Sequence, residues 1–205
     1  MEEKITAIRE WLGTGSINVF GLPMSGKDTQ GVKLAEVLGA KFLSSGLIIR
    51  AMEKASGQSL TADGSLAPTN LFYEWVLPYF ERRELIHVPL ILSSIGRWSG
   101  EEQQVITIAE GSGHPIKAVV LLNVSESDVT ERWETAQTLG DRGDRPDDAK
   151  PEAFQKRLAE FRDKTMPVIR HYQDLDLLVT VRGDMSRDEV FEAMIDALYK
   201  YSQTH

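Results

Sequence analysis

Ile17-Asn18-Val19-Phe20-Gly21-Leu22-Pro23-Met24-Ser25-Gly26-Lys27-Asp28-Thr29-Gln30 is the stretch on which the fold turns. Residues 17–20 form a short, mostly apolar run interrupted only by Asn18, which suits a parallel strand buried on both faces. Residues 27–38 read as a helix, with Val32, Ala35 and Leu38 on one stripe and Gly39 as its stop. Between strand and helix, Gly21 to Lys27 fits G-x-x-x-x-G-K. The chemistry behind that pattern is the binding of an anion. Glycines let successive backbone N–H groups wrap it, a helix N-terminus points at it, and a lysine reaches its outer phosphates. The strict pattern continues with Ser or Thr, but here Asp28 follows the lysine and Thr29 comes next.

Outward from this loop the same alternation recurs. A brief second strand at residues 41–43 is followed by apolar runs at 88–92, 118–124 and 177–181, each separated from the next by a segment with helical character. Ser125 with Asp128, and Ser186 with Glu189, read as capping boxes that open helices. Pro151 suits the first turn of another helix, whose stripe continues through Phe154, Leu158, Phe161 and Thr165. Before the first strand, Ile5, Ile8 and Leu12 mark a short amphipathic helix expected to pack as an extension. Strands alternating with helices predict an α/β fold, an open parallel sheet covered on both faces, with ligands at the carboxyl ends of its strands. Residues 50–83 and 139–149 stand outside the rhythm as a helical insertion and a lid.

Composition narrows the function classes. The 23 Lys+Arg against 31 Asp+Glu give a formal net charge of −8, which argues against a nucleic-acid polymer as partner. The chain of 205 residues is long enough to bury a core without staples. It has no cysteine, hence no disulfide, thiolate metal site or cysteine nucleophile, which agrees with a cytoplasmic setting. No apolar run is long enough to cross a membrane, and the first residues are charged throughout. The four histidines show no metal-ligand spacing.

Read as G-x-P-x-x-G-K-x-T-Q, the segment from Gly21 to Gln30 resembles the phosphate loop of the adenylate kinase family of nucleoside monophosphate kinases. Ser44-Ser45-Gly46-Leu47-Ile48-Ile49-Arg50 resembles that family's S-T-G-D-x-x-R, and Arg145-Pro146-Asp147-Asp148, with Arg157-Leu158 and Pro167, resembles the end of its lid and the next helix. The resemblance runs from about Ile17 to the C-terminus. It implies a P-loop NTPase-type parallel sheet flanked by helices, with core segments at 17–49, 84–138 and 150–205. The insertion at 50–83 would bind the monophosphate, the short lid at 139–149 would fold over ATP, and the protein would be a monomer.

The substrates it implies are Mg-ATP and a nucleoside monophosphate, with AMP the acceptor it suggests. By the same resemblance ATP is held by Gly21, Pro23, Met24, Ser25, Gly26, Lys27, Asp28, Thr29 and Arg132. The monophosphate is held by Ser45, Gly46, Arg50, Arg97 and Gln103. Lys27, Arg97, Arg132, Arg145 and Arg157 would screen the charge of the two polyanions during transfer.

The chain also departs from the family pattern. Where the family reads D-G-F-P-R after the third strand, this chain reads Ser93-Ser94-Ile95-Gly96-Arg97, losing the carboxylate that helps hold water around magnesium. Glu101 stands where a glutamine reads the acceptor base, Leu47 replaces an acid, and Ala136 replaces a second arginine for which Arg142 could compensate. Asp28 adds a carboxylate beside Lys27, and a like charge next to triphosphate is expected to meet Mg²⁺, directly or through water. The competing role is an outward-pointing acid favoured by the helix dipole. Arg157 is also spaced to pair with Glu160. Beside the kinase stand two alternatives, a nucleotide-binding protein of the same fold whose catalysis has weakened and a P-loop kinase for another small molecule.

Overall fold

The computed structural model describes residues 1–139 and 150–205. Arg142, Arg145, Asp147 and Asp148, and with them the lid apart from Leu139, lie outside the described residues. Among the described residues five strands form one parallel sheet in the order β2-β3-β1-β4-β5. They are β1 (Ser16–Gly21), β2 (Lys41–Ser44), β3 (Leu90–Ser93), β4 (Ile116–Asn123) and β5 (Leu178–Arg182). The described helices are α1 (Glu2–Leu12), α2 (Lys27–Leu38), α3 (Ser45–Ser56), α4 (Thr69–Trp75), α5 (Glu101–Gly111), α6 (Glu126–Leu139), α7 (Pro151–Glu160), α8 (Met166–Asp174) and α9 (Arg187–Ser202). None of them is long and apolar enough to cross a membrane.

The centre of the sheet is β1, buried along its whole length. Successive side chains of a strand face opposite ways. Ile17 and Val19 accordingly enter the core made with Leu34 and Leu38 of α2 and Met194, Ile195 and Leu198 of α9. Phe20 enters the opposite core, with Phe154 and Leu158 of α7 and Ile169 and Tyr172 of α8. Asn18, the polar break in the run, is fully buried and doubly bonded to Ile95, giving its Nδ2 hydrogen to the carbonyl (2.8 Å) and accepting from the N–H (3.3 Å). It fixes the turn that leaves β3.

Several sequence expectations are corrected. Val32 is 50% exposed, and the buried stripe of α2 is Gln30, Gly31, Leu34, Ala35 and Leu38. Three residues turn a helix by about 300°, so the stripe through residues 32, 35 and 38 drifts off the inward face. Instead of packing as an extension, α1 sends Ile8 and Leu12 fully into the main core beside α9. The third strand starts at Leu90, because Pro89 has no N–H for the ladder, although its carbonyl still accepts from Lys41 (2.9 Å). The box at Ser186 is complete. At Ser125 only one arm closes: the N–H of Asp128 reaches the hydroxyl (3.1 Å), while the Asp128 carboxylate accepts from that same hydroxyl (2.6 Å).

Parallel strands all end on the same side. The register sets Ser44 beside Ser93 and Ser93 beside Val19, two residues before the glycine loop. The segments following β1, β2 and β3 therefore converge at one edge of the sheet.

Candidate functional site

The loop after β1 is shaped by a close approach. A Cβ on Gly21 would stand 2.5 Å from the Ser25 hydroxyl, so only glycine lets Ser25 fold back over the strand end. The Ser25 N–H closes this turn on the Leu22 carbonyl (3.1 Å). Its hydroxyl is buried and has no partner among the described residues. Met24 sits at φ 66°, which a side-chain-bearing residue seldom adopts, and Lys27 opens α2. Arg132 reaches across from α6 to donate to the carbonyls of Met24 (3.4 Å) and Gly183 (2.7 Å), tying the loop to the turn after β5. The resulting cavity is lined by Ser25, Gly26, Thr29, Arg132 and the turn at 183–187.

A second cavity lies beside it, over the ends of β2 and β3. Ser45, Gly46, Arg50, Arg97 and Trp98 line it. Ser45 is committed to the protein, since its hydroxyl donates to the Ser94 carbonyl (2.8 Å) and binds the start of α3 to the turn after β3. Arg97 is half-buried, and its Nε has no hydrogen-bond partner among the described residues. Loss of solvent around the guanidinium, and then the like charge of Arg157, draws its pKa down to about 10, against the pull of Glu160, Glu101 and Asp28. Cations forced together at the edge of a cavity are poised for an anion.

Among the described residues, three line both cavities: Lys27, Asp28 and Arg157. Asp28 faces inward, and its Oδ1 accepts a hydrogen bond from the Ser93 hydroxyl (2.5 Å). Glu160, the alternative partner for Arg157, is held by Lys164 at i+4 (2.7 Å).

Gln103 stands apart from the residues it was grouped with. It is exposed on α5 and lines neither cavity, because the first turn of that helix buries Glu101 and Glu102 and turns the next two residues outward. Glu101 lines the second cavity, yet its carboxylate serves the protein. It accepts from the N–H groups of Arg97 (2.8 Å) and Trp98 (3.0 Å) and from the Thr69 hydroxyl (2.8 Å). Burial raises its pKa, and these bonds oppose the rise. Glu101 thus clamps the turn that aims Arg97, a role its position in the sequence does not announce.

Other structural residues also escaped the sequence reading. The Trp98 indole donates to the Ala67 carbonyl (3.2 Å), and the Lys164 ammonium sits 3.8 Å above its ring. Glu53 gathers the N–H groups of Leu60 (2.6 Å) and Thr61 (2.8 Å). Asp63 pairs with Lys156 of α7 (2.6 Å), which lowers its pKa to about 2. Gly64 presses on the same helix: a Cβ there would stand 2.1 Å from the Ala153 carbonyl. Together these contacts bring the segment at 61–67 over the second cavity and against α7.

Comparison with known proteins fits this arrangement. The protein is 32% identical over 180 residues to an adenylate kinase of Parvibaculum lavamentivorans, covering 84% of this chain and 86% of that protein. It is 32% identical over 187 residues to an adenylate kinase of Xylella fastidiosa, with 88% and 97% covered. The chain belongs to the adenylate kinase family. A member from Agrobacterium fabrum is 30% identical over 190 residues, with 89% and 96% covered. No model of a known protein family matches the chain. The parallel sheet flanked by helices is the P-loop NTPase type of α/β fold carried by adenylate kinase homologues. Adenylate kinase family membership makes the chain a nucleotide-binding protein of the phosphotransferase class.

Proposed function

We propose that the protein is a nucleoside monophosphate kinase that transfers the γ-phosphoryl group of Mg-ATP to AMP. The observation that carries this reading is that two cavities, each with its own arginines, share Lys27, Asp28 and Arg157 at their junction. Two phosphorylated ligands would meet there, and phosphoryl transfer needs their charges screened and their reacting oxygens aligned. ATP occupies the cavity of the glycine loop, beside Arg132. The monophosphate occupies the other, against Arg50 and Arg97. Lys27 and Arg157 stabilise charge on the moving group, and an oxygen of the acceptor phosphate attacks as the bond to the leaving ADP breaks. No side chain serves as nucleophile.

The junction suits magnesium: the Asp28 carboxylate and the Ser93 hydroxyl supply oxygen atoms of the kind a hard cation takes. Bound magnesium neutralises charge on the phosphoryl oxygens. AMP as acceptor is supported by the naming of the relatives as adenylate kinases. The reading includes a monomer working in the cytoplasm.

A coupled assay of ADP formation across the common nucleoside monophosphates tests it. Turnover highest with AMP is the expected result. Turnover with another monophosphate alone overturns the acceptor. ATP binding without turnover on any of them selects the second reading, a nucleotide-binding protein with weakened catalysis, for which Ser93 at the end of β3 is the motivating departure.

A further inference from the structure

Asp28 and Ser93 lie 65 residues apart in the chain and touch in the fold. From this contact we infer that Asp28 is the carboxylate that meets the divalent cation accompanying the nucleotide phosphates, and that Ser93 is its positioning residue. The inference rests on the proposed function and deepens it.

The first argument is one of place. An acid in the first turn of a helix is favoured by the helix dipole wherever it points, and an outward direction would satisfy that role. Asp28 instead turns toward the end of β3, accepts from the Ser93 hydroxyl, and lines both cavities. The second argument is one of charge. Apart from Asp28, the junction is made of cations, Lys27 and Arg157, as a site for phosphate groups requires. A carboxylate set among them faces polyanions from both sides, and like charges at a few ångströms repel even under partial screening. A divalent cation standing between carboxylate and phosphate, directly or through its water, turns that repulsion into attraction on both sides. The third argument is orientation. The hydrogen bond from Ser93 holds one carboxylate oxygen, which fixes the plane of the group and spares the cation the loss of side-chain freedom on binding. Ser93 sits at a strand end whose register with β1 is set by the sheet, so the anchor is rigid.

The two departures from the family pattern thereby become one change: a carboxylate moved from the third strand to the first turn of α2, with a hydroxyl left behind to hold it.

Calorimetric titration of ATP, with Mg²⁺ and with EDTA, together with Mn²⁺ titration of the protein–ATP complex followed by electron paramagnetic resonance, reads this without reference to turnover. Asp28→Asn keeps the shape and an oxygen for Ser93, and a thermal melt verifies its fold. We expect it to weaken Mn²⁺ binding to the complex about tenfold and to tighten metal-free ATP several-fold, since removing one close charge acts in opposite directions on cation and anion. Ser93→Ala should weaken Mn²⁺ less than Asp28→Asn does. Adding Ser93→Asp to Asp28→Asn should restore Mn²⁺ affinity by returning a carboxylate to the strand end. Mn²⁺ affinity of Asp28→Asn within twofold of the unaltered protein, or metal-free ATP binding that does not tighten, overturns the inference and leaves the kinase reading standing. Failure of the unaltered protein to bind ATP at all would bring down both.

Discussion

Arg97 should cost the protein stability in proportion to its use. Its pKa falls to about 10 on folding, well below the ordinary guanidinium range, because the guanidinium loses solvent and lies near Arg157. A shift of that size corresponds to roughly 3 kcal/mol held against the charged form. The sign follows directly. A base whose folded pKa lies below its unfolded one destabilises the fold at every pH below about 10, and the cost fades as pH rises from there toward the ordinary guanidinium range. Solvent on the open side of this half-buried group screens part of it, leaving about 1–2 kcal/mol. Arg97→Met removes the charge and keeps the aliphatic stem. For a domain of this size each kcal/mol moves Tm by about 2–4 °C. The ligand-free variant at pH 7 should therefore melt about 2–8 °C above the unaltered protein. Affinity for a monophosphate should fall by about ten- to a hundredfold, the worth of charge-assisted hydrogen bonds. Differential scanning calorimetry with and without AMP reads both, and AMP should raise Tm far less in the variant. A ligand-free Arg97→Met protein that melts at or below the unaltered one would refute the argument that Arg97 is held in place for an anion.

Three further outcomes follow from other contacts. Lys27→Ala should abolish turnover, because backbone N–H groups give the loop direction but little full charge; undiminished activity in that variant would sink the phosphate-loop reading. Gly64→Ala places a methyl 2.1 Å from the Ala153 carbonyl and must push the loop at 61–67 off α7, so KM for the monophosphate should rise while KM for ATP stays put; equal changes in both would show that the loop does not belong to the acceptor side. The Asp63 carboxyl should titrate near 2 by NMR and move back toward 3.8 in Lys156→Ala, since the bond to Lys156 is the largest cause of its shift. The folded pKa is depressed, so the tether is at full strength above about 4 and is lost as pH falls toward 2; an Asp63 titration untouched by Lys156→Ala would remove the tether from the account.

Local elements were legible in the sequence because their causes act within a few residues. The bounds of α2 were set by the glycine loop before it and Gly39 after it, and the start of α9 by the mutual bonds of Ser186 and Glu189. The junction of strand, glycine loop and lysine was legible for the same reason, and the α/β class followed from the alternation around it. Val32 marks where this kind of reading failed. Its spacing from Ala35 is helical, but which face of α2 meets the sheet depends on where the sheet is.

Everything decided by neighbours distant in the chain needed the tertiary structure. Glu101 stood in the sequence as a departure from a base-reading glutamine, and the fold made it the clamp on the turn that aims Arg97. Gly64 carried no signal until α7 was set against it, and only the rotation of α5 decided that Gln103 is exposed. Asp28 and Ser93 stood in the sequence as two separate departures. They became one feature because β3 pairs directly with β1, so the end of the third strand lies against the first turn after the glycine loop. Hydrophobic periodicity and caps specify which segments are strands and helices; only the order and register of the strands specify which side chains meet at their ends.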